Sequence, residues 1–378
     1  MNSGRMLRIG IDLTSIWRPN TGMLVYAARL ARELLLVDKQ NKYTLFFAGE
    51  IHPEFRELEG TFRPLVVPLR DEVICKQLLL PSLCNTHRFD VIHFPGFPPP
   101  VACFRPFIWT LHDATPWLYP ETMDLKGRLY FQCVGGWAAR FSKAIITDSN
   151  DAKRKIIAAL RLPEMKVNVI YLGIDDGFKK LDNQSFLDSV RLRYGLPEKF
   201  MLGVGTLEPR KNLPFLIRAF RQMRHANQTK LGLVLVGRTG WRSAALQGEL
   251  GREAEDVVLT GFVPQADLVA LYNLAEVFVL PSLYEGFGLP PLEAMACGCP
   301  VIVSNRGSLP EVVGDAALLI DPTCQNSLVA AIRAVEADSS LREDLARKGF
   351  ERVERFSWRS AAVQTLELYR TVAGRHAS

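Results

Sequence analysis

The chain has 378 residues, of which 48% are hydrophobic and 23% charged, as in ordinary globular proteins, and this length favours two domains. The formal net charge of +6 is too modest to indicate nucleic-acid binding, although it suits phosphate-bearing ligands or an anionic membrane surface. No stretch approaches the roughly 18 apolar residues of a membrane-spanning helix, and MNSGRMLRIGID contains no signal-peptide core. We therefore expect a cytoplasmic protein, with peripheral contact at the inner face of the plasma membrane as an open alternative.

The cysteines and histidines show no spacing that is typical of a metal site. Cys297 and Cys299 are separated by a single residue, which is poor spacing for a zinc knuckle, and no HExxH motif occurs. The seven cysteines are an odd number, which agrees with reduced thiols in a cytoplasmic protein. We predict no structural metal.

Short apolar runs alternate with helix-like segments from the N-terminus onward. LRIGID predicts the first strand, and the spacing of apolar residues in TGMLVYAARLARELLLV predicts the first helix. Further strands are expected in YTLFFAG, PLVVPL, DVIHF, PFIWTLHD, KAIITDS and VNVIYLGID. Because most of these runs are apolar on both faces, they indicate a parallel sheet that is covered by helices on each side.

A second alternation follows a polar segment from Gly177 to about Pro197, which we interpret as the linker. It runs through FMLGVG, LGLVLVG, DVVLTG, VFVLPS, PVIVS and AALLID, with intervening helices that include one near Arg242–Glu253. Two such series predict two doubly wound, Rossmann-like α/β domains that face a central cleft, spanning residues 1–177 and 178–356. The last helix, within 357–378, could pack back onto the first domain.

The stretch from Leu280 to Ser304 combines two glutamates with glycines and a proline-initiated helix. Helix-compatible sequence begins near Leu289, so Glu285 is expected in the loop and Glu293 early in the helix. Glycines let the backbone approach a ligand, and the unpaired amides of a helix start favour oxygen-rich groups. Two carboxylates there suit the hydroxyl groups of a ribose or a sugar, although a connection with two solvated glutamates has the same local pattern.

A second candidate segment is GVGTLEPRKN, which follows the first strand of the C-terminal half. The strand ends in the small residues Gly205 and Thr206. Arg210 and Lys211 then open the next helix, and two adjacent cations can hold a diphosphate without a metal, although a solvated basic helix start is the alternative. The pair Asp175–Asp176 lies near the linker rather than after a suitable strand, so we do not interpret it as a metal-binding DxD motif.

The first domain offers a histidine directly after a strand, where α/β folds present ligand-binding residues. His112 and Asp113 follow the strand in WTLHDATPWLYPE, and Asp113 could orient His112 or contact an acceptor. His93 follows another strand and is more simply a structural residue. Ser149 is expected to cap the following helix rather than to take part in chemistry.

The segment YEGFGLPPLEAMACGCPVIVSNRGSLPEVVGDAALLIDP resembles the E-x7-E signature of retaining glycosyltransferases of family 4, which have the GT-B fold. The similarity includes the glycines, the proline-initiated helix and the later G-x-x-P-E turn, and the order of elements is similar along the whole chain. The resemblance implies that Glu293 binds the ribose and that Glu285 contacts the transferred sugar. It also implies backbone contacts to sugar and phosphate from Gly286, Phe287, Gly288 and Leu289.

The same resemblance implies roles outside this signature. Arg210 and Lys211 match a pyrophosphate clamp, with Gly205 and Thr206 among the expected donor contacts. His112 matches a histidine that faces the donor sugar. Gly22 matches an N-terminal loop near donor phosphate and acceptor; relatives often have two glycines there, whereas this chain has Thr21–Gly22, so a plain helix start is the alternative.

The function implied by the resemblance is transfer of a sugar from a nucleotide sugar, with GDP-mannose as the first candidate. The acceptor would be a glycan or a polyprenyl-linked saccharide in surface polysaccharide synthesis, and no metal or other cofactor is expected. Retention would follow from attack on the face that the diphosphate leaves, with a donor phosphate oxygen taking the acceptor proton. A double displacement through Glu285 is the competing mechanism.

Two other functions and one surface role stay open. A nucleotide-sugar 2-epimerase of the same fold would need no acceptor, and a two-domain sugar-binding protein would have no catalytic activity. The segment Asp124–Ala144 mixes apolar and basic residues. As a helix, it could touch a membrane surface or a lipid-linked acceptor, or it could pack in the core.

Overall fold

The structure, a computed structural model, describes residues 5–17, 22–68, 71–238, 248–249, 251 and 257–374. The chain divides into two compact units, one formed by residues 1–173 with 357–378 and the other by residues 174–356. The chain thus passes from the first unit to the second between Gly173 and Ile174. Each unit contains one parallel sheet, which confirms the predicted fold class.

The first unit contains a seven-stranded parallel sheet in the order β3-β2-β1-β4-β5-β6-β7. The strands are β1 Arg8–Asp12, β2 Lys42–Ala48, β3 Phe62–Val67, β4 Val91–Pro95, β5 Phe107–Thr110, β6 Ala144–Thr147 and β7 Val167–Val169. The α-helices are Gly22–Val37, Glu72–Ile74, Leu80–Thr86, Thr115–Leu118, Leu125–Tyr130, Gly136–Phe141, Asn150–Leu160 and Trp358–Gly374. Cys75–Leu79 and Phe131–Gly135 are π-helical, and Pro53–Leu58, Pro120–Thr122 and Glu164–Lys166 form 3₁₀ turns.

The strands at the centre of this sheet carry apolar side chains on both faces. Ile9 and Ile11 of β1 and Ile92 and Phe94 of β4 are almost completely buried. Continuous apolar runs of this kind are expected for parallel strands with helices on both faces. The strand order reverses between β1 and β4, and the carboxyl ends of strands near such a point form the usual ligand-binding edge of an α/β unit.

The C-terminal helix Trp358–Gly374 packs against the first helix, Gly22–Val37, within the first unit. The ring of Trp358 lies 6.0 Å from that of Tyr26. A side chain at Gly173 would place its Cβ only 2.1 Å from the backbone nitrogen of Trp358, so the chain leaves and re-enters this unit at a close backbone contact. Periodicity alone did not decide which domain the last helix contacts.

The second unit contains a six-stranded parallel sheet in the order β10-β9-β8-β11-β12-β13. The strands are β8 Phe200–Val204, β9 Gly232–Val236, β10 Val257–Gly261, β11 Val277–Leu280, β12 Val301–Ser304 and β13 Leu318–Ile320. The α-helices are Gln184–Tyr194, Leu213–His225, Gln265–Leu274, Leu289–Ala296, Leu309–Val313, Gln325–Ala337 and Ser339–Val353. The helix expected near Arg242–Glu253 falls mostly outside the described residues.

The segment interpreted as a linker is part of the second unit, so this interpretation was wrong. Residues Gln184–Tyr194 form a helix, and the side chain of Asn183 accepts a backbone hydrogen bond at its start. Leu187 and Val190 are buried, and the helix packs on Gln265–Leu274. Its apolar side is narrow and the rest of its surface is polar, so the sequence resembles that of a linker.

Among the described residues, no helix combines the length and the hydropathy that crossing a bilayer requires.

Candidate functional site

Glu285 joins the two segments that the sequence singled out in the C-terminal half. Its Oε1 accepts hydrogen bonds from Lys211 Nζ at 2.7 Å and from Ser282 Oγ at 2.6 Å, and its Oε2 accepts from Arg210 Nη1 at 2.7 Å. Burial alone would raise the pKa of the Glu285 carboxyl, but the charges and hydrogen bonds of its partners lower that pKa to about 2. The carboxylate is therefore ionised at every pH at which the protein would be assayed.

The sheet topology explains why these residues meet. β8 and β11 are parallel neighbours, so the loops at their carboxyl ends lie side by side. The backbone nitrogen of Leu283, in the loop after β11, donates to the carbonyl oxygen of Arg210 at 2.9 Å. Arg210 and Lys211 belong to a 3₁₀ turn at Pro209–Lys211 and not to the following helix, which corrects the expectation that they open it.

Gly205 is required by the packing of Lys211. It has a φ of +144°, and a Cβ at this position would lie 3.1 Å from Lys211 Cε. Any other residue would be strained by this φ and would come into tight contact with the lysine stem. Thr206 follows and is exposed.

The loop between Glu285 and the next helix is buried. Gly286 is buried, and the Phe287 ring packs 5.7 Å from that of Phe356 inside the second unit. Gly288 has a φ of +102°, and the helix then begins at Leu289, as predicted.

Two residues of the later G-x-x-P-E turn pack against the backbone of the loop that contains Glu285 and Phe287. Ser308 Oγ donates to the carbonyl oxygens of Glu285 at 3.0 Å and Phe287 at 2.7 Å. A Cβ at Gly307 would lie 2.7 Å from the Glu285 carbonyl oxygen, so only glycine allows this approach. Sequence reasoning noted the turn without predicting that it fixes the position of Glu285.

Glu293 lies in the helix Leu289–Ala296, and its electrostatic surroundings include Lys211. Tyr272 Oη donates to Glu293 Oε2 at 2.9 Å. Burial raises the pKa of the Glu293 carboxyl to about 7, with a further contribution from the charge of Asp175, while Tyr272 and Lys211 oppose the increase. Asp175, which the sequence placed near the linker, belongs to the second unit, and its charge acts on Glu293.

Binding of a hydroxyl-bearing ligand to Glu293 is expected to weaken as the pH falls from 8 to 6. With a pKa of about 7, the carboxylate fraction falls about ten-fold over this range, and the neutral carboxyl accepts fewer hydrogen bonds. Calorimetric titration with a nucleoside diphosphate measures this trend. Glu293→Gln should bind weakly with little pH dependence, and an equal slope in both proteins would contradict the assignment.

The raised pKa of Glu293 has the opposite effect on the stability of the ligand-free protein, to which it contributes at low pH. The folded pKa lies above the ordinary glutamate pKa of 4.5, so the favourable contribution is complete below pH 4.5 and is lost as the pH rises through about 7. Glu293→Gln should therefore be more stable than the original protein at pH 8, by on the order of 1–3 kcal/mol. Urea denaturation at pH 5 and pH 8 measures the difference, which should be smaller at pH 5.

In the first unit, His112 is paired with Asp148. His112 Nδ1 lies 2.7 Å from Asp148 Oδ2, and the Asp148 side chain is 3% exposed. Burial would lower the pKa of His112, but the charge and hydrogen bond of Asp148 raise it. His112 Nε2 and Asp148 Oδ1 are buried and have no hydrogen-bond partner among the described residues, so each keeps an unused hydrogen-bonding position.

Sequence reasoning missed Asp148, although a signal was present. His112 follows β5 and Asp148 directly follows β6, and these strands are parallel neighbours, so their carboxyl ends meet. The prediction that the neighbouring Ser149 caps the following helix is confirmed, because Ser149 Oγ accepts a hydrogen bond from Ala152 N at 3.0 Å. Asp113 does not orient His112: its Oδ1 accepts from Thr115 N at 2.7 Å at the start of a short helix.

A buried chain of hydroxyl groups and a histidine lies behind His112. Tyr26 Oη is 3.0 Å from Thr110 Oγ1, which is 2.8 Å from His93 Nε2, and His93 Nδ1 is 2.7 Å from Tyr369 Oη. Burial lowers the pKa of His93 to about 3, so it is neutral, in agreement with a structural role. The Tyr26 ring packs edge-on 4.8 Å from that of His112, which fixes the imidazole plane.

Gly22 begins the first helix, and residues 18–21 before it lie outside the described part of the chain. A Cβ at Gly22 would meet no described atom within 4 Å, so packing does not require glycine there. Among the described residues, no group of three or more His, Cys, Asp or Glu side chains could hold a metal ion.

Comparison with known proteins decides the family. The family described as "Glycosyltransferase Family 4" matches residues 20–178, and "Glycosyl transferases group 1" matches residues 190–352. The chain is 33% identical over 369 residues to O-antigen chain mannosyltransferase B of Escherichia coli, covering 93% of this chain and 96% of that protein. The chain belongs to glycosyltransferase family 4. The predicted resemblance to this family is thus confirmed.

Other relatives of this glycosyltransferase agree. O-antigen chain mannosyltransferase RfbU of Salmonella typhimurium is 29% identical over 377 residues, covering 91% of this chain and 96% of the relative. Sucrose-phosphate synthase from Thermosynechococcus elongatus superimposes with a TM-score of 0.76 at 21% identity, covering 99% and 100% of the two chains. HepE from Anabaena, in complex with UDP-glucose, gives 0.74 at 21% identity, covering 97% and 100%. These likenesses show the GT-B fold.

Proposed function

We propose that this glycosyltransferase transfers mannose from GDP-mannose to a glycan or polyprenyl-linked saccharide in surface polysaccharide synthesis, with retention of configuration. The observation that carries the proposal is the buried contact of Glu285 with Arg210 and Lys211, within electrostatic reach of Glu293. The names of the O-antigen relatives from Escherichia coli and Salmonella typhimurium support mannose as the sugar and a polysaccharide as the product.

Each charged group has a distinct task in this reaction. Arg210 and Lys211 bind the diphosphate and stabilise its charge as it leaves, so no metal is needed. Glu293 accepts hydrogen bonds from the ribose. Glu285 and the amides of residues 286–289 hold the transferred sugar, and His112, whose Nε2 has no described partner, takes the role of the family's sugar-facing histidine.

Attack on the face from which the diphosphate departs explains retention better than a double displacement. Both oxygens of Glu285 accept hydrogen bonds, two of them from cations, and its pKa of about 2 makes it a weak nucleophile. A donor phosphate oxygen takes the acceptor proton instead. Mass-spectrometric detection of a mannosyl group covalently attached to Glu285 would overturn this mechanism.

The function is tested by supplying GDP-mannose with and without a mannoside acceptor. We expect GDP release only with acceptor, an α-linked product by proton NMR, and unchanged rates after treatment with EDTA. Release of GDP without acceptor, together with conversion of the mannose into a different sugar, would favour a 2-epimerase. A thermal-shift panel of nucleoside diphosphates identifies the base, because a ligand that binds only the native state raises its Tm.

Asp148→Asn is expected to lower kcat roughly ten- to hundred-fold, as for groups that orient a functional histidine. The amide cannot stabilise the charged imidazole, so the pKa of His112 should fall and the limb of the pH–kcat profile should move to lower pH. Asp151→Asn, on the following helix, is the matched control and should retain activity. An unshifted profile with full activity would contradict the assignment.

We also propose that the protein contacts a membrane surface, and the segment Asp124–Ala144 supports this. It is helical through most of its length and leaves Leu125 and Leu129 exposed by 67% and 50%, while Trp137 stacks on a core ring. Arg140 and Lys143 of this segment form a basic cluster with Lys166: burial lowers the pKa of Lys166, and the other two charges lower it further. We propose that this surface rests on anionic lipid at the inner face of the plasma membrane.

Flotation with phosphatidylglycerol vesicles is expected to recover the original protein but not the double variant Leu125→Asp/Leu129→Asp. Two exposed apolar side chains then become anionic, which removes apolar burial and repels the lipid. The control is Leu192→Asp, a leucine of the second unit that is 83% exposed. Equal flotation of all three proteins, or of none, would contradict the proposed surface.

A further inference from the structure

Glu208 is an enclosed carboxylate beside Arg210 and Lys211, and the proposed reaction assigns it no task. Arg210 Nη2 donates a hydrogen bond to Glu208 Oε1 at 2.7 Å, while Arg210 Nη1 donates to Glu285 Oε2, also at 2.7 Å. The side chains of Glu208 and Arg210 are only 9% and 19% exposed. The guanidinium therefore lies between two carboxylates in a place that water reaches poorly.

The four charged groups of this cluster balance one another. Arg210 and Lys211 supply two positive charges, and Glu208 and Glu285 supply two negative charges. A diphosphate that approaches the cations is repelled by carboxylates that lie 2.7 Å from them. Because the groups are enclosed, water and salt screen this repulsion only weakly. A neutral cluster therefore binds a diphosphate less tightly than two unopposed cations would.

The two carboxylates differ in how firmly they are held. Glu285 accepts hydrogen bonds from both cations and from Ser282. The Glu208 side chain accepts a hydrogen bond from Arg210 and from no other described residue. Displacing Glu285 would break three contacts, whereas displacing Glu208 breaks one. Glu208 is therefore the carboxylate that an incoming anion can replace at Arg210.

We propose that Glu208 competes with the diphosphate for Arg210 and thereby speeds release of the nucleoside diphosphate product. The inference rests on the proposed function and concerns the regulation of its diphosphate site. As the nucleotide leaves, Glu208 pairs with Arg210 again, so the enclosed guanidinium regains its second anion. A role limited to holding Arg210 in place predicts the opposite effect on affinity, because loss of the carboxylate would then weaken nucleotide binding.

Glu208→Gln tests the proposal, because glutamine keeps a side-chain oxygen for Arg210 and removes the charge. Calorimetric titration of the full chain with GDP should give a Kd about five- to twenty-fold lower than that of the original protein, since one negative charge no longer opposes the diphosphate. Stopped-flow displacement of a fluorescent GDP analogue should show a dissociation rate that is lower by a similar factor. Guanosine, which carries no phosphate, should bind both proteins equally.

Glu276→Gln is the matched control, because it removes the same charge at a distant place in the same unit. Glu276 forms an ion pair with Lys199 at 3.5 Å and precedes β11, so it lies at the amino ends of the strands. Glu285 lies at the opposite, carboxyl ends. The Kd of this control for GDP should stay within about two-fold of the original value. Glu208→Ser, also uncharged, provides a second probe if Glu208→Gln does not fold.

The outcomes separate this inference from the proposed function. If the original protein binds GDP and the folded Glu208 variants bind it equally or more weakly, the inference is overturned and Glu208 only holds Arg210 in position. Tighter binding of guanosine by the variants would also overturn it, because the charge would then act on a part of the ligand other than the diphosphate. Absence of GDP binding and of GDP-mannose turnover in the original protein would instead count against the proposed function.

Discussion

Lys211→Ala is expected to lower kcat for sugar transfer on the order of 100- to 1,000-fold. A buried cation that faces the departing diphosphate is worth more in the transition state than in the ground state, because negative charge accumulates there as the bond breaks. Lys211 is 8% exposed, so water cannot replace its charge. Steady-state kinetics with GDP-mannose and a mannoside acceptor measure kcat and KM separately.

Lys199→Ala is the matched control for this prediction. Lys199 lies in the same unit, is 59% exposed and forms an ion pair with Glu276 at 3.5 Å. Its removal should leave kcat within two-fold of the original value, because exposed pairs contribute little. If Lys211→Ala retained full kcat, the diphosphate clamp would be assigned to the wrong residues.

Glu285→Gln is expected to lower the free energy of unfolding by about 3–5 kcal/mol, since it removes the carboxylate partner of the buried Lys211 and leaves Arg210 paired with Glu208 alone. The Glu285 pKa gives the pH dependence. Because the folded value of about 2 lies below 4.5, the stabilisation is present above pH 4.5 and is lost as the pH falls through 2. Urea denaturation at pH 7 measures the difference.

GDP should restore stability to this variant more than it stabilises the original protein. The diphosphate supplies the anion that Arg210 and Lys211 have lost, so saturating GDP should raise the Tm of Glu285→Gln by the larger amount. Glu351→Gln, at a glutamate that is 65% exposed in the same unit, should behave like the original protein. Equal Tm increases in all three proteins would show that GDP does not bind beside these cations.

Local patterns correctly predicted much of the second unit. The apolar runs of β8 and β11 and the proline-initiated helix at Leu289 are specified by neighbouring residues, so periodicity finds them. Glu285 and Glu293 occupy the loop and the helix where their spacing indicated. The ion pairs of Glu285 with Arg210 and Lys211, which lie in another loop, were predicted neither by spacing nor by the resemblance.

Contacts between distant segments were not predictable in the same way. Asp148 meets His112 because β5 and β6 are adjacent, and Ser308 supports Glu285 across a gap of 23 positions. The linker interpretation failed because the helix Gln184–Tyr194 buries only a narrow apolar side. The order of strands in the sheets decides the contacts of Asp148 and Ser308, and periodicity does not predict that order.

The sequence by itself determined two α/β units, the positions of the apolar strands, and a carboxylate pair in a loop and the helix that follows it. These features depend on side-chain periodicity, proline and glycine, which act over a few residues. Only the tertiary structure decided that Glu285 neutralises two cations with a pKa near 2 while Glu293 titrates near 7. The physical reason is that a buried carboxyl takes its charge state from the groups that surround it in space, and the order of strands in the sheet selects those groups.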